Sequence, residues 1–426
     1  MNDLPTELVE EIFLCFASHL HSHPFRCRRS PASQSIISKV CRQWRDIALN
    51  FPPLWNHLHV VDPQQPSIVQ DLQLWMHRAG TLPLCLSLRQ HESYDLQASI
   101  AVLVFFLNSL NRCQSFELFL LTDLEHFPLA NIERLPSIPL ESVNVCCPKL
   151  PWTQWADMDL LANLLLNTHS LRTIRWSCQL SSPLIPHFWE NLLELSTDSV
   201  GSLAEFLNAL SQCQNLERLE ILGEPNNSDT SVIIPRISLP RVTHLSLVLG
   251  PSANRMLSLL ILQSLADLEV VLLYRLSKLA PVLDMIQRSG VVLRRLGITN
   301  RIIGRYRRVA EVEIISTLRM PHLQELRILD IEEPTLRGQD IVEFLTLPTA
   351  SNTAAGENTG PLGYLVHLER ICLVFQNTQD VELLQGLQKL VKSRLGMCDP
   401  KTASEHIETT TLFRFSLSIP CRQLLI

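Results

Sequence analysis

Three stretches in the middle of the chain share one pattern: LERLEI at 216–221, VTHLSL at 242–247 and LEVVLL at 268–273. Each resembles L-x-x-L-x-L, in which alternate apolar residues predict a short strand with one buried face. The pattern occurs ten times, and the other seven stretches are FELFLL at 116, LESVNV at 140, LRTIRW at 171, LLELST at 192, LRRLGI at 293, LQELRI at 323 and LERICL at 368. Ten ordered occurrences indicate internal repetition, even in a chain this rich in leucine.

The spacing of these stretches identifies the type of repeat. Most successive stretches begin about 21 to 31 residues apart, and the last two begin about 45 residues apart. Leucine-rich repeats have periods of ~20–29 residues. Between the strands, several segments have helical periodicity: 158–167, 200–213, 280–290 and 310–318. One strand with one helix cannot bury its own apolar face, so neighbouring turns must stack. The sequence therefore predicts an α/β fold: an irregular leucine-rich-repeat solenoid, or horseshoe.

The repeats are irregular in two respects. The asparagine position of regular leucine-rich repeats is mostly missing. Two polar, turn-rich breaks interrupt the pattern, EPNNSDTS at 224–231 and TASNTAAGENTGPLG at 349–363, and the second accounts for the long last spacing. We expect 349–363 to be a disordered surface loop.

Residues 1–60 have a different pattern. LPTELVEEIFLCF begins with a proline suited to the start of a helix, and its apolar residues recur at four-residue steps. SIISKVCRQWRDIAL at 35–49 predicts a second amphipathic helix, and PPLWNHL at 52–58 a third, short one that buries Trp55. Three such helices expose more apolar surface than they can cover. They form either an interaction surface or an end cap for the solenoid.

The residues of this head resemble the F-box, in the form common in fungal F-box proteins. The resemblance rests on LPTELVEEIF, VCRQWRDIA and PPLWNHL in that order, and it covers about residues 4–60. It departs from the family in the long connection ASHLHSHPFRCRRSPASQ at 17–34, and in Ile36 and Ile37 where a leucine is usual. The resemblance implies that the head docks on a Skp-type adaptor, which links it to a cullin–RING ubiquitin ligase. The adaptor-binding residues that it implies are Leu4, Pro5, Leu8, Ile12, Val40, Cys41, Trp44, Ile47 and Trp55.

These patterns divide the chain into three parts. Residues 1–60 form the F-box-like head, 61–115 a linker and the N-terminal capping region of the solenoid, and 116–426 the repeats. In leucine-rich-repeat F-box proteins the repeats hold the substrate. We expect the same of this chain, either on the concave strand face, whose side chains alternate with the buried leucines, or on the loops at its rim. Six residues are the candidates for substrate binding: Arg175, Arg218, His244, Arg295, Arg327 and Arg370.

Two further clusters have weaker functional interpretations. Cys15, His19, His21, His23 and Cys27 could ligate a metal, but their spacing does not match the usual zinc pairs, and solvated side chains are the favoured interpretation. GRYRR at 304–308 could bind a phosphorylated recognition segment, although basic runs are usually only solvated. We therefore expect no metal and no cofactor.

The composition excludes several classes of protein. The 426 residues are 46% hydrophobic with a formal net charge of −6, which argues against a general nucleic-acid binder. No apolar run approaches the ~18–20 residues that a membrane helix requires, and the acidic N-terminus lacks the form of a secretory signal. The 12 cysteines form no CxxC pair, and several, such as Cys41, Cys85 and Cys372, lie in apolar runs. They are expected to be buried, reduced thiols of a cytoplasmic or nuclear protein.

No nucleophile or nucleotide-binding motif occurs, so we expect the chain not to be an enzyme. Two functions of different classes remain. The first is a substrate receptor of a ubiquitin ligase, which binds the adaptor through the head and a protein substrate through the repeats. The alternative is a leucine-rich-repeat scaffold without a ligase role, in which the head is only a cap.

Overall fold

The computed structural model describes part of the chain. The described residues are 4–21, 33–91, 94–121, 138–147, 155–166, 168–177, 186–198, 202–223, 234–272, 279–300, 314, 322–330, 339–345, 370–374, 385–386, 418–419 and 422–423. The chain divides into two compact units, Met1–Ser199 and Val200–Ile426, and each is described by itself.

The first unit begins with a small helical head. Its helices are α1 (Thr6–His21), α2 (Ser33–Val40) and α3 (Arg42–Leu49), followed by a 3₁₀ turn at Pro52–Leu54. Val9 and Phe13 of α1, Ile37 of α2 and Ala48 of α3 are buried and form the core of the head. Phe13 also packs edge-on against Trp44, with their ring centroids 5.2 Å apart.

A parallel sheet follows the head. Its strands pair in chain order: β1 (His57–Val61), β2 (Leu84–Arg89), β3 (Cys113–Phe119), β4 (Ser142–Cys146), β5 (Thr173–Ser177) and β6 (Glu194–Thr197). Between the strands are α4 (Ile68–Arg78), α5 (Leu96–Asn108), α6 (Trp155–Leu165) and 3₁₀ turns at Leu110–Arg112 and Pro186–Asn191. Asp95 caps α5 by accepting a 2.7 Å hydrogen bond from the backbone N–H of Ala98.

The second unit repeats this arrangement. Six strands pair in parallel in the order β7 (Arg218–Ile221), β9 (His244–Leu249), β11 (Asp267–Leu272), β12 (Arg295–Asn300), β13 (Glu325–Asp330) and β14 (Arg370–Val374). The helices are α7 (Leu203–Leu210), α8 (Pro251–Leu259), α9 (Ala280–Ser289) and α10 (Gln339–Leu345). The short strands β8 (Ile237–Ser238) and β10 (Leu260–Ile261) pair in parallel, and β15 (Ser418–Ile419) and β16 (Arg422–Gln423) pair antiparallel.

The register places the apolar residues of successive strands in rows. In the second unit one row joins Leu219, Leu245, Leu268, Leu296 and Leu326, all buried. In the first unit the corresponding row joins Leu58, Leu86, Phe116, Val143, Ile174 and Leu195, also buried. Each apolar side chain therefore contacts its equivalents in the adjacent strands, which a single strand and helix could not provide.

One hydrogen-bond arrangement recurs at the start of successive strands. The carbonyl of Glu217 accepts from the backbone N–H groups of both Thr243 and His244, at 2.9 and 3.2 Å. The equivalent carbonyls are those of Glu141 and Arg172 in the first unit and of Thr243, Ala266 and Arg294 in the second. The chain thus enters each of these strands with the same local geometry.

Hydroxyl side chains donate to backbone carbonyls elsewhere in the chain. Thr168 donates to the carbonyl of Ile138 at 2.6 Å, and Ser170 to that of Leu140 at 2.9 Å. In the second unit Ser264 donates to the carbonyl of Pro240 at 2.6 Å. These hydrogen bonds link residues about 24 to 30 positions apart in the sequence.

The structure confirms the predicted α/β class, and each of the ten quoted stretches overlaps a strand. The helices predicted at 158–167, 200–213 and 280–290 correspond to α6, α7 and α9. Of the helix predicted at 310–318 only Ile314 is described, and it is helical. The breaks at 224–231 and 349–363 lie outside the described residues.

Six of the described strands were not identified from the sequence: β1, β2 and the two-residue strands β8, β10, β15 and β16. β1 and β2 precede the first quoted stretch; β1 pairs with β2, and β2 pairs with β3 with a register shift at Leu84 and Cys85. The region 61–115, expected to be a linker and cap, contains β2, α4 and α5. It is therefore built from the same strand-and-helix alternation as the residues that follow it.

Candidate interaction surfaces

The head exposes an apolar surface on α1 and α2. Leu4, Leu8, Ile12 and Phe16 are between 40% and 51% exposed, although the neighbouring Val9 and Phe13 are buried. Residues four apart lie on the same side of a helix, so Leu8, Ile12 and Phe16 form one ridge on α1, which Leu4 precedes. We define the head apolar surface as this ridge together with Leu4 and the exposed residues of α2; its members are Leu4, Leu8, Ile12, Phe16, Ile36 and Val40.

This concentration of exposed apolar residues is unusual within the described part of the chain. Ten large hydrophobic side chains are exposed there, and six of them belong to the head apolar surface. The other four, Leu74, Leu160, Leu222 and Val292, are widely separated in the sequence. Large apolar patches on soluble proteins usually mark interaction sites, whereas single exposed leucines need no explanation.

The second helix of the head is interrupted, contrary to the sequence prediction of one helix over 35–49. Cys41 has extended backbone angles (φ −156°, ψ 172°) and separates α2 from α3. Its Sγ accepts a 3.4 Å hydrogen bond from the backbone N–H of Trp44, so Cys41 is the N-cap of α3. A continuous helix would leave no such cap. Both α2 and α3 bury a residue, Ile37 and Ala48 respectively, in the head core.

The adaptor-binding residues implied by the resemblance differ in exposure. Pro5, Val40 and Cys41 are exposed, and Trp44 and Ile47 are half-buried. Cys41 is therefore not the buried thiol that its apolar neighbours suggested, and Cys85 is only partly buried. In contrast, burial raises the pKa of the Cys113 and Cys213 thiols to about 12, as expected of inert core cysteines.

Trp55 does not belong to the exposed surface. It is 2% exposed, its indole N–H donates to the carbonyl of Ala48 at 2.6 Å, and its ring packs edge-on against Trp75. Arg78 lies over the same ring, 4.5 Å from its centroid. An interior position leaves no face of Trp55 for a partner, and its role in this conformation is to join the head to α4.

The proposed metal cluster cannot be assembled from the described side chains. Among the described residues, no group of three or more His, Cys, Asp or Glu side chains is placed to hold a metal ion. Cys15 is exposed; His23 and Cys27 lie outside the described residues, as do the side chains of His19 and His21. The basic stretch 304–308 also lies outside them.

The outward face of the first unit's sheet has a polar network centred on Glu117. Its carboxylate accepts hydrogen bonds from Ser87 (2.8 Å), Arg89 (2.6 Å) and Asn144 (3.0 Å), and His59 Nδ1 lies 2.8 Å from the Ser87 hydroxyl. Burial alone would raise the pKa of Glu117. The hydrogen bonds from Arg89 and Ser87 and the charge of Arg89 outweigh burial, so the pKa lies below its usual value. The sequence analysis did not identify this network. The only signal for it in the sequence is that its residues alternate with buried residues along β1 to β4.

Most of the predicted substrate-binding residues already have partners in the structure. Arg295 donates to both carboxylate oxygens of Asp267, at 2.7 and 2.5 Å. Arg218 Nη1 donates to Glu220 Oε1 at 3.0 Å. Arg175 is half-exposed and 3.9 Å from Glu194. The Arg327 side chain is exposed, whereas the side chain of Arg370 lies outside the described residues.

His244 stands on the same face, between charged neighbours. Its Nε2 is 4.0 Å from a carboxylate oxygen of Glu220, and its side chain is 14% exposed. Burial and the nearby positive charge of Arg218 lower the pKa of His244 despite the acidic residues around it. The lowered pKa favours the neutral form of His244.

No protein-family model matches the chain, and no curated protein matches it. Within the described residues, no helix is long and apolar enough to cross a membrane.

Proposed function

We propose that the chain is a substrate receptor of an SCF-type cullin–RING ubiquitin ligase. The observation that carries this proposal is the head apolar surface, because it lies on the segment that resembles the F-box. Leu4, Leu8, Ile12 and Val40, which the resemblance assigns to adaptor binding, are all exposed. In this proposal a Skp-type adaptor covers them, and the partner subunits supply the catalysis.

We further propose that the two parallel arrays belong to one irregular leucine-rich-repeat solenoid. In-register leucine rows and the recurring two-donor carbonyl support a repeating unit. The polar strand face then presents side chains to a protein substrate, in the cytoplasm or nucleus. No nucleic acid, membrane, metal or cofactor has a part in this function.

The adaptor interaction is tested with two exposed residues of the head. The double variant Leu8→Lys/Val40→Glu places charges in the proposed contact without touching the head core. Trp44 is a poorer choice because it packs on Phe13. Binding of the purified full-length chain to a recombinant Skp-type adaptor is measured by calorimetry. An affinity loss of at least about a hundredfold is expected, since an unpaired buried charge is costly.

A matched control separates this effect from a general loss of apolar surface. Leu74→Lys/Val292→Glu makes the same chemical changes at positions of 46% and 56% exposure, against 51% and 56% for Leu8 and Val40. The control is expected to bind the adaptor like the wild type. If the wild type does not bind the adaptor, the ligase role is wrong and the scaffold alternative, with the head as a cap, is favoured.

A further inference from the structure

The chain carries nearly all of its positive charge on arginine. Its 36 basic residues are 30 arginines and only six lysines, although lysine is among the commonest residues of soluble proteins. The stretches 40–148, 150–277 and 279–388 contain no lysine at all. A bias of the coding sequence toward G and C would raise glycine as well, but the 13 glycines are about half the usual share of ~7%. The scarcity of lysine is therefore selective.

The geometry of the guanidinium group explains only some of the arginines. Arg295 donates to both carboxylate oxygens of Asp267, a bidentate contact that the single nitrogen of lysine cannot make. Five other arginines are exposed, and their guanidinium groups form no hydrogen bond or ion pair within the part of the chain that the structure describes. These five are Arg42, Arg172, Arg236, Arg294 and Arg327. A lysine would supply the same solvated charge at each of them. The difference that remains is chemical, because the primary amine of lysine accepts ubiquitin.

Lys39 is the single lysine among the described residues, and the other five lie outside them. It is exposed in the last turn of α2, three residues after Ile36 and next to Val40. Residues three apart lie on the same side of a helix, so Lys39 borders the head apolar surface. A partner that buries Ile36 and Val40 would cover the Lys39 amine as well.

We propose that the receptor, when its head is bound to the adaptor, offers no ubiquitin acceptor on the surface that the structure describes. The adaptor covers Lys39, and arginine takes the place of lysine on the strand-and-helix body. The ligase then modifies the substrate and spares the receptor that holds it. This inference rests on the proposed function and adds a form of regulation to it, since Lys39 is an acceptor site only while the head is unoccupied.

The transfer of ubiquitin requires a free amine. The unprotonated ε-amine of a lysine attacks the thioester carbonyl that joins the C-terminus of ubiquitin to a cysteine of the conjugating enzyme. An isopeptide bond forms, the C–S bond breaks, and the cysteine leaves as a thiolate that takes up the proton lost by the amine. A guanidinium group stays protonated and cannot make this attack. A lysine held in the assembled ligase is at a high effective concentration, so a single accessible amine is a target.

The first test introduces lysines at three exposed positions. The variant Arg172→Lys/Arg236→Lys/Arg294→Lys keeps the charge and removes no guanidinium hydrogen bond to the described residues. The full-length chain, a Skp-type adaptor and the cullin–RING core are combined with ubiquitin and its activating and conjugating enzymes, and each acceptor site is quantified by mass spectrometry. The introduced lysines are expected to be modified at least about tenfold faster than Lys39, because they are tethered to the ligase and uncovered. The matched control Arg172→Gln/Arg236→Gln/Arg294→Gln, which adds no amine, should leave Lys39 as in the wild type.

The second test measures the cover of Lys39 directly. The variant with three introduced lysines is labelled with an N-hydroxysuccinimide ester of acetic acid, with and without the adaptor. Adaptor binding is expected to slow the labelling of Lys39 by at least about tenfold, because the buried part of an interface excludes water and small reagents. The introduced lysines lie outside the head and should keep their labelling rates, so they serve as the internal control.

Ubiquitin on Lys39 of the complex at the rate of the introduced lysines overturns the inference, as does unchanged labelling of Lys39 on adaptor binding. The inference also falls if the introduced lysines stay unmodified while the same ligase builds free ubiquitin chains. In each of these cases the adaptor is bound, so the ligase role stands. If the adaptor does not bind, the proposed function is wrong and this inference fails with it.

Discussion

The indole N–H of Trp55 donates a 2.6 Å hydrogen bond to the carbonyl of Ala48, in the last turn of α3. The same ring packs against Trp75 of α4 and lies under Arg78. One buried side chain therefore joins the last helix of the head to the first helix of the strand-and-helix body. An adaptor bound to the head would be held in a defined position relative to the first unit's sheet.

Removing this hydrogen bond should destabilise the first unit. Trp55→Phe retains most of the buried ring but leaves the Ala48 carbonyl with only the weaker 3.4 Å bond from the Phe51 N–H. We expect a loss of about 1–2 kcal/mol in the free energy of unfolding, measured in urea. Trp75→Phe is the control, since it truncates the neighbouring ring of the edge-on pair. Equal stability of Trp55→Phe and the wild type would show that the bond contributes nothing.

Phe13 and Phe16 should respond oppositely to the same substitution, although only three positions separate them. Phe13 is fully buried and Phe16 is 40% exposed. Phe13→Ala is expected to cost about 3–5 kcal/mol, seen as faster hydrogen exchange in α1 to α3. Phe16→Ala should change stability by less than about 0.5 kcal/mol and weaken adaptor binding instead. Matching stability losses in both variants would place Phe16 in the core.

Cys41 should be replaceable by serine but not by alanine. Its sulfur accepts the Trp44 N–H, and serine is a favoured N-cap residue. Cys41→Ser is expected to keep or raise the protection of α3 amides from hydrogen exchange. Cys41→Ala should lower the stability of α3 by roughly 0.5–1 kcal/mol. The opposite order of the two variants would contradict the capping role.

Glu117 should make stability depend on pH in the acidic range. Its pKa in the folded protein is below the ordinary value of 4.5, so its ionised form is favoured by folding. This stabilisation is present in full above the ordinary pKa and is lost as the pH falls through the lowered folded pKa. Glu117→Gln should therefore be less stable than the wild type at pH 7, by about 1–2 kcal/mol, with the difference shrinking below pH 4.5. Urea unfolding of both proteins from pH 7 to pH 3 measures this, and a constant difference across the range would disprove it.

The strands were predictable where the apolar pattern was strict. LERLEI at 216–221 and LRRLGI at 293–298 gave β7 and β12, because alternate leucines can be buried only by a strand with one covered face. The strands β1 and β2 were missed because the leading position of the full pattern, three residues before Leu58 and Leu86, holds Trp55 and Pro83 instead of leucine. Their alternate burial was a usable signal, since Leu58 and Leu86 continue the same apolar row.

The candidate surfaces were only partly predictable. Leu8 and Ile12 were identified through the F-box resemblance, yet they alternate with the buried Val9 and Phe13 on a helix that is apolar on more than one side. No helical pattern alone could say which apolar side faces the core. On the strand face, the sequence singled out Arg295 and Arg218, but it could not show that Asp267 and Glu220 already pair with them.

The sequence by itself determined the α/β class, the order of the ten quoted strands and which of their side chains point into the core, because these depend on local periodicity. Only the tertiary structure decided the break at Cys41, the burial of Trp55 and the partners of the charged residues. Those features depend on contacts between residues on different turns, such as Arg295 with Asp267 on the neighbouring strand.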